Sequence, residues 1–137
     1  LYKIKRNKIY RVEICRQPKE TFNNILHRVY VDSKESIINT NLHLSLLNIG
    51  ILNNKSLELL TMVEKFYINK NHIMSIKKRL FQNMKNTKLI EMSDNSIEII
   101  ENEAFMGLVN LEIIYMRRNN LIFIEKNVFN ILPSLKE

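Results

Sequence analysis

The sequence contains little cysteine, glycine or proline, and it has no long apolar run. A single cysteine excludes an internal disulfide framework and a zinc site built from several cysteines. With two glycines in 137 residues, no glycine-rich phosphate-binding loop can be present. No apolar stretch approaches the roughly 18 residues that a membrane-spanning helix requires. The sequence therefore predicts no membrane span in this segment.

The hydrophobic content and the charge set further bounds. Hydrophobic residues make up 45% of the chain, which excludes wholesale disorder, and the length suits one domain. Residues 1–16 hold six lysines and arginines against one glutamate, so most of the net charge of +7 lies there. Such a segment can bind a polyanion or can simply be a solvated terminus. The second interpretation is favoured, because no aromatic platform or groove-reading helix accompanies the charge.

The strongest signal is an internal repeat of 24 residues. Asparagine recurs at this interval, and a phenylalanine follows ten residues after each asparagine. Apolar residues recur at fixed offsets around them, and Thr87 is the one departure from the pattern. The repeated positions include Asn71, Asn95 and Asn119, and Phe81, Phe105 and Phe129.

The pattern reads L-x-x-L-x-L-x-x-N-x-L-x-x-I-x-x-x-x-F-x-x-L-x-x. It resembles the leucine-rich repeat, in the 24-residue form common in extracellular proteins. The resemblance implies an α/β-type solenoid, a horseshoe with short parallel strands on the concave side and irregular or 3-10 segments on the convex side. The repeat style is similar to that of insect Toll-type receptors and secreted immune leucine-rich repeat proteins.

The repeat predicts how the chain is organised. Residues 1–38 are interpreted as an N-terminal cap and a degenerate first repeat, because two short segments there alternate in polarity as strands do. Residues 39–62 form a weaker repeat, in which Leu47 occupies the asparagine position and Asn48 follows one place late. Regular repeats cover 63–86, 87–110 and 111–134, and another begins at Leu135. Because natural solenoids close their ends with a polar cap, we expect the chain to be a fragment of a longer array.

The repeated asparagines, Asn71, Asn95 and Asn119, are predicted to form a structural ladder. Each lies where the chain turns sharply after a strand, so that backbone groups are buried but not paired in a sheet. An amide side chain can satisfy such groups and link neighbouring repeats.

No catalytic, metal-binding or cofactor-binding set is apparent, and the protein is not expected to be an enzyme. The three histidines, His27, His43 and His72, lack metal-ligand spacing. Cys15 can be a buried free thiol or half of a cap disulfide whose partner lies outside this segment. Asn54, in the only N-x-S/T triplet, is a possible glycosylation site on the convex side.

The concave strand face is the predicted binding surface, because tyrosine and arginine often anchor protein interfaces. Leu89 and Ile113 are expected to add a small exposed apolar patch, and Asn69 to be exposed. The alternative is that the outward residues are ordinary strand residues with good β propensity. The candidate partner-binding residues are Tyr30, His43, Tyr67, Lys70, Glu91, Tyr115, Arg117 and Arg118.

These observations predict a recognition module for a protein ligand or co-receptor, in an extracellular receptor or a secreted immune protein. No nucleic-acid partner is expected. One alternative is an intracellular, cytoplasmic leucine-rich repeat scaffold or adaptor. Another is a polyanion binder that uses residues 1–16, which would show a steep dependence on salt.

Overall fold

The computed structural model describes the backbone of residues 9–11 and residues 40–58 and 60–136. Most of the predicted cap and first repeat, with Tyr30 and Cys15, lies outside the described residues. The elements are β1 (Ile9–Arg11), β2 (Thr40–His43), α1 (Asn54–Leu57), β3 (Val63–Tyr67), β4 (Ser75–Ile76), β5 (Leu89–Glu91), β6 (Ile99–Ile100), β7 (Ile113–Tyr115) and β8 (Phe123–Ile124).

The strands form two parallel sheets. One has five strands in the order β1-β2-β3-β5-β7, and the other has three in the order β4-β6-β8. From β3 onward, the paired residues of the larger sheet are 24 apart, as in the row Phe66, Ile90 and Ile114. The smaller sheet keeps the same interval. The predicted solenoid with short parallel concave strands is therefore confirmed. The division into a cap and numbered repeats stays a prediction.

The convex side is built from turns and from the two-residue strands of the smaller sheet. In these turns an N–H group donates to the carbonyl three residues earlier, for example the Leu80 N–H to the Lys77 carbonyl at 3.2 Å. The smaller sheet is a feature that the sequence pattern did not predict. Its strands begin four residues after each repeated asparagine.

The core lies between the two sheets and is lined by the repeated apolar residues. Phe66 and Ile90 point into it from neighbouring concave strands and are fully buried. The rings of the repeated phenylalanines stack along the convex side. The ring centroids of Phe81 and Phe105 are 5.9 Å apart, and those of Phe105 and Phe129 are 5.6 Å apart. Burying a phenylalanine contributes about 1.5–3 kcal/mol. Since each ring stacks on its counterpart in the next turn, no turn can bury its own apolar face alone.

Thr87 is tolerated in the core because its hydroxyl is satisfied there. The side chain is fully buried, and Oγ1 donates a hydrogen bond to the Val63 carbonyl at 2.7 Å. A buried hydroxyl without a partner would be costly. The one departure from the apolar pattern therefore makes a link between two turns of the solenoid.

The turn at Leu47 is completed by an asparagine of the following repeat. The backbone N–H groups of Leu47 and Ile49 both donate to Oδ1 of Asn71, at 3.0 and 3.1 Å. Leu46 and Asn48 both adopt positive φ, whereas the regular turns have one such residue, directly before the asparagine. Asn71 thus supplies an acceptor for this turn, although Leu47 itself has no side-chain amide.

Ion pairs also join equivalent or nearly equivalent positions of adjacent turns. Nζ of Lys77 lies 2.9 Å from Oε1 of Glu101, and Nε of Arg79 lies 2.9 Å from Oε2 of Glu103. The acid of each pair lies 24 residues from its base. Further pairs of this kind are Lys88 with Glu64 and Lys136 with Glu112.

Candidate functional site

Nine residues line a depression of about 560 Å³ on the concave side, at the C-terminal ends of β3, β5 and β7. The last residue of each strand and two residues of the turn that follows it contribute to the lining, which forms a grid of three rows. The first row is Tyr67, Glu91 and Tyr115, the second is Asn69, Ser93 and Arg117, and the third is Lys70, Asp94 and Arg118.

The parallel register brings these side chains together. Tyr67 is paired with Glu91, and Glu91 with Tyr115, so the three occupy adjacent strands at the same height. Six of the eight residues predicted from the sequence line this depression: Tyr67, Lys70, Glu91, Tyr115, Arg117 and Arg118. His43 extends the first row on β2, where it is paired with Tyr67. Tyr30 lies outside the described residues.

The ring of Tyr67 is held by a stack with His43. The two ring centroids are 4.1 Å apart and the planes differ by 2°. Because these stacked rings belong to neighbouring strands, their planes are roughly perpendicular to the direction of the row. One face of Tyr67 is therefore covered by His43, and its other face points along the row toward β5 and β7.

Glu91 is fixed by its own strand. Its Oε1 accepts a hydrogen bond from the Ser93 backbone N–H at 2.8 Å. This bond holds one oxygen of the carboxylate beside the second row. The carboxylate thus forms part of the floor between the two tyrosines.

The second row is more buried than the sequence suggested. Ser93 is buried, and its Oγ accepts a hydrogen bond from the Arg117 backbone N–H at 3.0 Å. Asn69, which was expected to be exposed, is half-buried and accepts a hydrogen bond from the Ser45 hydroxyl at 2.5 Å. Both side chains form hydrogen bonds to a neighbouring turn, and these bonds keep them close to the backbone.

The expected apolar patch is also less open than predicted. Leu89 and Ile113 are half-buried, because they lie side by side on β5 and β7 and cover each other. The nine residues that line the depression are all polar, charged or aromatic.

The third row carries a paired and an unpaired charge. The Arg118 guanidinium donates two hydrogen bonds to the Asp94 carboxylate, one of them from Nη2 at 2.7 Å. These bonds lower the pKa of Asp94, with help from the nearby charges of Arg118 and Lys70, and they raise the pKa of Arg118. Lys70, Asp94 and Arg118 all adopt positive φ, between 52° and 56°.

Arg117 and Lys70 are the two cations of the site without an ion pair among the described residues, and Arg117 is the one that lies in the second row. Within the described ranges, its guanidinium forms no hydrogen bond or ion pair, and the side chain is exposed. Its backbone is nonetheless fixed by the bond to Ser93. The site therefore combines a fixed carboxylate, two tyrosine rings and one available guanidinium.

The asparagines lie beneath this site and hold its turns in place. Oδ1 of Asn95 accepts from the Ile73 N–H at 3.1 Å, and Nδ2 donates to the carbonyls of Met92 at 3.0 Å and Ile68 at 3.1 Å. Asn71 and Asn119 make the equivalent bonds. Each asparagine side chain therefore bonds to backbone groups of its own turn and of the turn in the preceding repeat.

Asn54 is exposed at the first residue of α1. Ser56, the third residue of the triplet, is buried, and its backbone N–H and its hydroxyl both donate to Oδ1 of Asn53, at 2.9 and 3.1 Å. Asn53 therefore caps the helical turn, and the Asn54 side chain is exposed beside it.

The described part of the chain holds no group of three His, Cys, Asp or Glu side chains that could bind a metal ion. In the same ranges, no helix is long and apolar enough to cross a membrane.

Comparisons with known proteins agree with this geometry. Residues 61–121 match the family model described as leucine rich repeat. Among solved structures 35 chains match, including one described as "Crystal structure of TLR13-ssRNA13 complex", with a TM-score of 0.62 and 24% identity. That match covers 64% of this chain and 12% of the solved chain, so it shows the fold alone. A comparison with curated proteins finds no match.

Proposed function

The chain is a leucine-rich repeat protein, and we propose that it is a recognition module that binds a protein partner through its concave face. The observation that carries this proposal is the depression formed by β3, β5 and β7, where two tyrosines and a free arginine meet. Tyrosine and arginine are the residue types most enriched, with tryptophan, among the energetic anchors of protein interfaces.

The rigidity of the site supports the proposal. Tyr67 is stacked on His43, Glu91 is bonded to Ser93, and the Arg117 backbone is bonded to Ser93. Ordering side chains on binding costs about 0.5–1.5 kcal/mol for each flexible group. A preorganised surface avoids part of this cost, so these contacts favour recognition over a merely structural role.

The charges favour a protein over a nucleic acid. The solved TLR13 structure that this chain matches is a complex with ssRNA. A phosphate backbone is bound by arrays of unpaired cations. Here Arg118 is engaged by Asp94, and the Glu91 carboxylate lies between the tyrosines. These two acids oppose a polyanion and suit a partner of mixed charge.

An extracellular setting, in a receptor or a secreted immune protein, is the favoured context. It is supported by the resemblance of the repeat to the extracellular form and by the exposure of Asn54. An N-linked glycan on Asn54 of the protein recovered from cells would support this setting. A glycan-free chain found in the cytoplasm would favour the intracellular scaffold instead.

The test uses a partner captured by cross-linking and purified, with its affinity measured by surface plasmon resonance. Tyr67→Ala and Tyr115→Ala are each expected to lower the affinity by about 2 kcal/mol or more, roughly thirtyfold, with little change in melting temperature. Lys126→Ala is the control, because Lys126 is exposed on the convex side. If Lys126→Ala abolishes binding and the tyrosine substitutions do not, the proposed concave site is wrong.

A further inference from the structure

Tyr67 and Tyr115 border a slot whose floor is Glu91. The three residues occupy adjacent parallel strands in one row, with Glu91 in the middle. Neighbouring strands are about 4.8 Å apart, so the α-carbons of the two tyrosines are separated by roughly 9.6 Å. The slot is therefore wide enough for one planar group between the rings, at contact distances of about 3.5–4.0 Å on each side.

The ring of Tyr67 is already oriented for stacking. His43 covers one of its faces at a centroid distance of 4.1 Å, which leaves the face toward Glu91 and Tyr115 available. A cation placed on that face would be attracted by the ring electrons. Tyr115 borders the slot from the opposite side.

The floor of the slot is negative. Oε1 of Glu91 is held by the Ser93 N–H, and Oε2 has no hydrogen bond or ion pair within the described residues. The carboxylate therefore has a fixed direction and a free oxygen. Arg118 is bonded to Asp94 and also interacts with the Glu91 carboxylate through its charge, while Lys70 lies close to Asp94.

A positive group lies farther along the strand direction. Arg117 is two residues beyond Tyr115, about 6.6 Å along the strand, and its guanidinium is free among the described residues. An extended ligand segment places the side chains of residues i and i+2 on one face at this same spacing.

We propose that the slot binds an arginine side chain of an extended partner segment, with an aspartate or glutamate two residues away that pairs with Arg117. The guanidinium stacks between Tyr67 and Tyr115 and donates to the free oxygen of Glu91. Arginine suits the slot better than lysine, because its planar group stacks on rings while it forms paired hydrogen bonds to a carboxylate. This inference rests on the proposed function, for which it specifies the chemistry of the partner.

The first experiment measures the binding of capped pentapeptides to the 137-residue protein by NMR titration. The peptide Gly-Arg-Ser-Asp-Gly is expected to bind about tenfold more tightly than peptides with lysine or alanine in place of the arginine. On binding, the arginine δ-methylene protons should shift upfield, because they lie over the tyrosine rings. Equal affinities for the three peptides, or the absence of this shift, would overturn the proposal.

Glu91→Gln isolates the charge of the floor. Glutamine keeps an acceptor for the Ser93 N–H, so the fold is expected to be retained, as circular dichroism and the melting temperature can show. The affinity for the arginine peptide should fall about tenfold. The matched control is Glu125→Gln, on the convex side, which should leave the affinity unchanged. An equal effect of the two substitutions would contradict the assignment.

A charge exchange tests the second contact. Arg117→Glu should lower the affinity for Gly-Arg-Ser-Asp-Gly and raise the affinity for Gly-Arg-Ser-Lys-Gly. The control is Lys126→Glu, a charge reversal at an exposed convex position, which should change neither affinity. If Arg117→Glu weakens both peptides equally, Arg117 does not pair with the ligand carboxylate.

Two further outcomes separate this inference from its alternatives. If the tyrosine substitutions abolish partner binding but Glu91→Gln leaves it intact, the concave-face function stands and the arginine slot is wrong. A single-stranded oligonucleotide is the competing ligand. If it binds more tightly to Glu91→Gln and fails to bind Arg117→Glu, the site recognises phosphate and the proposal is overturned.

Discussion

Gly107 packs directly against the backbone of Gln82, one turn earlier in the solenoid. A Cβ at position 107 would lie 2.3 Å from the Gln82 carbonyl oxygen and 2.6 Å from its α-carbon. Gly107 also has a φ of +96°, a conformation that side chains rarely adopt. Both observations show why glycine is needed in this convex turn, beside the stacked rings of Phe81 and Phe105.

Gly107→Ala is therefore expected to destabilise the protein by at least about 1–3 kcal/mol, since backbone must move to admit the methyl group. Gly50→Ala is the matched control, because its nearest contact would be the His72 carbonyl oxygen at 3.8 Å, an ordinary distance. Urea unfolding measures both changes. Equal losses of stability would contradict the close approach of Gly107 and Gln82.

Asn95→Ala should destabilise the fold by roughly 1–3 kcal/mol, because it leaves buried N–H and C=O groups at two turns unpaired. Asn102→Ala provides the comparison, since Asn102 is exposed and, among the described residues, accepts a hydrogen bond only from the adjacent Glu103 N–H. We expect it to cost no more than about 0.5 kcal/mol. Similar melting shifts for the two variants would refute the ladder as a source of stability.

Stability should decrease in acid because ion pairs join adjacent turns. The Arg79 side chain donates a hydrogen bond to Glu103, which holds the pKa of Glu103 below its ordinary value of 4.5. A carboxyl with a lowered pKa in the folded state stabilises the fold above its unfolded pKa. This contribution is fully present above about pH 4.5 and is lost as the pH falls through the lower folded value.

Glu103→Gln removes this charge, so its melting temperature should vary less between pH 7 and pH 3 than that of the unaltered protein. The pKa values of Glu101 and Glu112 are lowered in the same way by bonds from Lys77 and Lys136, so part of the dependence should remain. Glu125→Gln, at a residue without an ion pair in the described ranges, is the control. An unchanged pH profile for Glu103→Gln would exclude the pair from this role.

The exposed apolar side chains near β8 should promote self-association. Ile122 is 80% exposed and Phe123 is 57% exposed, and Phe123 is paired across the smaller sheet with the exposed Ile99. Exposed apolar surface of this kind is typical of contact sites. Sedimentation at increasing concentration should show association that Phe123→Lys weakens and that Lys126→Gln leaves unchanged. A monomer at high concentration would contradict this expectation.

The 24-residue period predicted the fold because equivalent apolar residues of successive turns pack in the same place in the core. Phe66, Ile90 and Ile114 recur at 24 residues since they occupy one row of the sheet. Thr87 could not be anticipated in the same way. Its suitability depends on a carbonyl, that of Val63, whose position is known only once the turns are stacked.

The sequence predicted which residues lie on the concave side, but it did not predict their burial or their side-chain contacts. Alternation along the strands placed Tyr67, Glu91 and Tyr115 on the concave side, and they line one depression. Burial of Ser93 and the stack of Tyr67 on His43 depend on side-chain rotamers and on bonds between strands. A single sequence contains no signal for these features.

The hydrogen bonds and ion pairs of the solenoid have a consequence for how such a chain can change its length. Asn95 bonds to positions 22 and 27 residues earlier, and Arg118 pairs with Asp94 across 24 residues. Duplication of a whole 24-residue unit would return every such partner to the same relative place. An insertion of another length would displace the bonded pairs that span it, except where the added residues loop out from a convex turn. Tandem duplication is therefore a route by which this chain can be extended without redesign of its interior.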